Sequence, residues 1–148
     1  MKHFSPLSAA IAMCAIISLA TPNNAQAAAQ RGACQILPGA AAQTILGSAV
    51  EAHQSAPTTG NGATATMCYY IGEHHGATLM ASYQASAALA SASAANLVAR
   101  LNNGPMAHKG HGSSLAASKG NVVLMVSVRE NADAGKLKSL LAAALRGV

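Results

Sequence analysis

Apolar and polar residues alternate at a strand period in several stretches of the chain and recur at a helical period in others. Over residues 64–72, Ala65, Met67, Tyr69 and Ile71 alternate with Thr66, Cys68 and Tyr70, which predicts a strand with two distinct faces. Residues 77–84 place Leu79, Ala81 and Tyr83 on one face of a returning strand, so Gly72-Glu73-His74-His75-Gly76 reads as the hairpin connection. Over 121–129, Val122, Leu124, Val126 and Val128 line one side, with Val123, Met125 and Ser127 on the other. This is the strand expected to be most buried, and its partner is 113–118 across a turn at Lys119-Gly120. A shorter strand is expected within 48–55, with Ala49, Glu51 and His53 on one side.

The helical period appears first after Pro38, a good helix opener, where Ala42, Ile45 and Leu46 share a face and Gly47 supplies a C-terminal stop. An Ala/Ser-rich stretch follows the second strand of the hairpin. Alanine favours helix, and Leu89, Leu97, Val98 and Leu101 keep the helical spacing, so a helix is expected over 87–101. Near the C-terminus, Asn131 can cap a helix with an apolar stripe of Leu137, Leu140, Leu141, Ala144, Leu145 and Val148. Loops are expected at 56–62 and 105–112. The order is helix, strands, helix, hairpin, helix. It predicts an α+β fold: an antiparallel sheet of four or five strands with the helices packed on one face.

The start of the chain has a different pattern. Lys2 and a polar patch precede an apolar run over 9–20, then Thr21-Pro22-Asn23-Asn24 and the small-residue triplet Ala25-Gln26-Ala27. A basic start, a short apolar centre and an A-x-A exit are the marks of a cleavable export signal. The apolar run is shorter than the ~20 residues a membrane-spanning helix needs. The expectation is a signal over 1–27, a single domain over 28–148, a periplasmic or secreted location and no membrane insertion after cleavage. Cys14 lies inside the apolar run behind Met13, where lipid attachment wants a small residue, and so reads as part of the signal core.

Export gives the remaining cysteines meaning. Only Cys34 and Cys68 follow the signal, and two cysteines in an exported chain most often join as one disulfide. The chain has no Trp, and its one Phe, Phe4, lies in the signal, so core volume falls to aliphatic residues and alanine. A covalent staple matters more in such a domain. The formal charge of +5 is spread along the chain without a basic run, and almost no aromatics accompany it. That argues against nucleic acid as a partner.

The pattern Cys34-x-Ile36-Leu37-Pro38, then Ile45-Leu46-Gly47, then Cys68-x-Tyr70 resembles a widespread group of small secreted bacterial domains of unknown function, common among actinobacterial lipoproteins. Those domains similarly place a first cysteine before a short helix ending in Leu-Gly and a second on a strand. A Gly-x-Gly segment, here Gly110-His111-Gly112, precedes their final hairpin and helix. This chain departs from them in lacking the lipid-attachment cysteine and in having Ser113 where an acidic residue often follows. The resemblance implies the fold and the disulfide, and it implies no catalytic residue.

Candidate chemistry rests on the histidines. Met106, His108 and His111 lie close together in a Gly-rich loop, and thioether plus imidazole suits copper, imidazole alone zinc. Met67, Met80 and Met125 fall on strands and read as core filler. Carboxylates are scarce, and no nucleophile motif, phosphate loop or dinucleotide fingerprint is present. The first expectation is therefore a non-catalytic binding module of the cell envelope, needing no cofactor, with an envelope protein or small ligand as partner. Its candidate contacts are the loops at 58–62, 73–76 and 105–112, including His74 and His75, with Tyr70 or Tyr69 according to which faces away from the helices. Copper or zinc binding through Met106, His108 and His111 is the second expectation, and a small hydrolase the third.

Overall fold

The computed structural model describes residues 30–73, 75–103, 113–129 and 134–148. The export signal expected over 1–27, His74, and the loop carrying Met106, His108 and His111 lie outside the described residues. The elements are α1 (Ala33–Ile36), α2 (Gly39–Leu46), β1 (Glu51–Gln54), β2 (Thr58–Gly60), β3 (Ala63–Ile71), β4 (Gly76–Tyr83), α3 (Ala87–Asn103), β5 (Ser113–Lys119), β6 (Val122–Val128) and α4 (Ala134–Gly147). All strands pair antiparallel in one sheet of order β1-β3-β4-β6-β5, and the short β2 adds to β3 beside β1. The fold is α+β, as the alternation of periods predicts.

The register fixes what each face carries, because directly opposed residues point to the same side. Thr66, Ala81 and Leu124 form one row across β3, β4 and β6; Cys68, Leu79 and Val126 form the next; Tyr70, Ala77 and Val128 the third. All nine are buried. Ile36, Leu37, Ala42, Leu46, Leu137, Leu140 and Ala144 from α1, α2 and α4 close over these rows as the main core. Cys34 of α1 is bonded to Cys68 of β3, with the two Cα atoms 5.0 Å apart, so the expected disulfide ties the first helix to the sheet.

The third helix departs from the expected one-sided cover. Ala90 and Ala94 of α3 bury against Val123 of β6, which points away from its neighbours Val122 and Leu124. Thus α1, α2 and α4 lie on one face and α3 on the other, over β5 and β6. The reason is legible in β6, which has apolar residues on both faces and needs cover on both. Alanines one helical turn apart let α3 approach that face closely.

Residues 58–62, expected as loop, contain a strand and a tight turn. Gly60 pairs directly with Ala63, leaving a two-residue Asn61-Gly62 turn with φ of 51° and 74°. Positive φ at both positions is the type I′ hairpin turn, for which Asn-Gly is the strongest short signal. The C-terminal end of α2 follows the expected chemistry, while Asn131, the expected cap of the last helix, lies outside the described residues. Gly47 takes φ 76° as the C-cap of α2, and the Lys136 ammonium from α4 donates to the Leu46 carbonyl at 2.7 Å, favourable charge at a helix C-terminus.

Candidate functional site

The strand period separates Tyr69 from Tyr70. Tyr70 points into the main core, is 1% exposed, and donates its hydroxyl hydrogen to the Leu37 carbonyl. Burial pushes its phenol well above the ordinary tyrosine range, so it stays a neutral donor. Of the two tyrosines offered for binding, Tyr70 is thus a core tether and Tyr69 is the one that faces away from the three-helix cover. Tyr69 is 40% exposed, next to Ile71 at 59% on the same face.

Tyr69 and Ile71 open onto a cavity of about 320 Å³ at the end of the β3–β4 hairpin. Thr78 lies directly opposite Tyr69 in the register and continues the wall. Glu73 and His75 from the hairpin connection and Arg129, just past β6, bring ionisable groups to the lining. Arg129 is held there by its backbone N–H, which donates to the Gly76 carbonyl at 3.0 Å. Gly72 shapes the inner edge: a Cβ at this position falls 2.7 Å from both the Ala49 and the His75 carbonyl oxygens, so only glycine lets the chain pass between them. The arrangement combines a flat apolar wall, a hydroxyl, an acid, an imidazole and a guanidinium around one concavity.

No family model, curated protein or solved structure matches this chain.

Of the expected binding residues, Tyr70 and His75 both contribute to the cavity lining, Tyr70 with its side chain buried, and His74 lies outside the described residues. His53 sits on β1 directly opposite Tyr69 and meets the Glu51 carboxylate at 3.3 Å in an exposed pair, an arrangement worth little to stability. Among the described residues no group of three His, Cys, Asp or Glu side chains converges as a metal site. Cys34 and Cys68 are committed to the disulfide. Arg129 was not singled out from the sequence. Its position at the cavity follows from β6 pairing with β4, strands far apart in the chain, and only that pairing brings residue 129 beside Gly76.

Proposed function

We propose that the protein is an exported, non-catalytic binding module of the cell envelope whose small-molecule ligand enters the cavity at the β3–β4 hairpin end. The observation that carries this reading is the cavity itself. Its volume of about 320 Å³ suits a small ligand, and its lining joins the exposed Tyr69 and Ile71 to Arg129. A ligand with a flat apolar part and an acidic group meets both: the ring packs on Tyr69, and the carboxylate takes paired hydrogen bonds from Arg129. The Cys34–Cys68 disulfide and the export-signal pattern of the first residues support a site of action in an oxidising compartment.

Thermal unfolding with a panel of aromatic monocarboxylates tests the proposal. At least one is expected to raise the melting temperature, and Arg129→Gln is expected to weaken its binding about tenfold or more, the scale of a lost charge-assisted pair. Ligand-free melting of Arg129→Gln should stay close to that of the parent, because Arg129 is exposed and its fold contact is through the backbone. A panel without effect, or binding indifferent to Arg129→Gln and Tyr69→Ala, contradicts this reading.

A further inference from the structure

Three methionines stand in one row on the face of the sheet that carries Tyr69. Met67 of β3 is directly opposite Met80 of β4, and Met80 is directly opposite Met125 of β6. Sequence alone assigns them to the core. Yet, among the described residues, none of the three belongs to either apolar core cluster, and all three are half-buried. The neighbouring rows on this face are Tyr69, Thr78 and Ser127 on one side and Ala65, Ser82 and Val123 on the other, and of these six only Val123 belongs to an apolar core cluster, under α3. The Met67 sulfur already accepts a hydrogen bond from the Tyr69 hydroxyl at 3.2 Å, on the exposed side of this face, so it is available as a donor atom there.

We infer that this row is a binding site for a soft monovalent cation, Cu(I) by preference, with the thioethers of Met67, Met80 and Met125 as its three ligands. The geometry allows it. Neighbouring strands lie about 4.8 Å apart, so the outer methionines are separated by about 10 Å at the backbone, with Met80 between them. Each side chain is unbranched, with three rotatable bonds, so the outer two can lean inward over Met80 until three sulfurs meet. Neutral thioethers are soft donors that select Cu(I) over zinc or the hard divalent ions. Tyr69 then releases the Met67 sulfur on metal binding, which couples the row to the adjacent cavity wall. This site is separate in residues from the Met106, His108 and His111 loop.

The test uses the oxidised chain with its methionine methyl groups labelled with carbon-13 and titrated with Ag(I), a redox-inert stand-in for Cu(I), in chloride-free buffer. The expected result is one ion per chain, with the methyl resonances of Met67, Met80 and Met125 moving together and Zn(II) moving none of them. Met80→Leu keeps the volume of the side chain and should preserve the fold while lowering Ag(I) affinity by about tenfold or more. A variant with His108→Ala and His111→Ala should bind as the parent does. If the three methyl resonances stay in place, or if Met80→Leu binds unchanged, the inference is overturned. It is equally overturned if only the Met106 resonance moves and the double histidine variant loses binding.

Discussion

Tyr70 holds the core face of β3 to the C-terminal end of α1 through its hydroxyl and the Leu37 carbonyl, both buried. Replacing it with Phe leaves that carbonyl without a donor, which costs about 1–3 kcal/mol. The same burial links stability to pH. An unfolded tyrosine ionises near 10, whereas burial raises the Tyr70 phenol above that in the folded protein. Below pH ~10 the group is neutral in both states and its contribution is complete. As pH rises further, the unfolded state sheds its proton first, and stability falls. Tyr83 adds to the same slope: burial raises its phenol, and the contact with Arg31 offsets part of that. Urea midpoints measured from pH 8 to 11 should be level at first and then fall, with a shallower fall in Tyr70→Phe. An equally steep fall in that variant would place the linkage elsewhere. At this scale the sequence gives the two tyrosines opposite faces through the strand period, but which face is inside depends on where α1, α2 and α4 dock. The row of methionines escapes a sequence reading for the same reason, since period alone cannot say that Met67, Met80 and Met125 are in register.

Elements were most legible where their signals are local. The β3–β4 and β5–β6 hairpins, the α2 stop at Gly47 and the apolar stripe of α4 all follow from period and punctuation. The turn of the last hairpin is displaced by one residue, to Gly120-Asn121, because Lys119 pairs with Val122. Residues 58–62 carry a signal that was available, Asn61-Gly62, obscured by the absence of apolar alternation in Thr58-Thr59-Gly60, which is exposed throughout. Gly62→Ala tests the turn: a side chain at φ 74° should destabilise the protein by about 1 kcal/mol and speed amide exchange in β2 without moving β4 or β6. Stability unchanged in that variant would show that the hairpin contributes nothing to the fold. The placement of α3 on the second face could not be read from its own sequence, which is alanine-rich around most of its surface; it follows from Val123 of β6 needing cover.

At the scale of the whole molecule, the disulfide joins α1 to the centre of a sheet whose core has no tryptophan or phenylalanine among its buried residues. A loop of this length is worth about 4 kcal/mol of chain entropy, a large share of the 5–15 kcal/mol typical of a folded domain. Reduction, or Cys34→Ser with Cys68→Ser, should lower unfolding free energy by roughly 4 kcal/mol. Denaturation with and without reductant measures it, and identical midpoints would remove the staple from the account. Around that frame α1 is further held by the Ala33 N–H donating to the buried Thr66 hydroxyl at 2.9 Å, and by Gly147, where any Cβ collides with the Ile36 carbonyl. The frame leaves the hairpin end of β3 and β4 as a concave, chemically mixed site. The measurement that tests this site most directly is a titration of the nitrogen-15-labelled oxidised protein with the aromatic monocarboxylates, followed at each backbone amide. The account predicts saturable shifts confined to the cavity residues, Tyr69 to Thr78 and Arg129, and lost in Arg129→Gln. Shifts absent there, or scattered without saturation over both faces of the sheet, would contradict it.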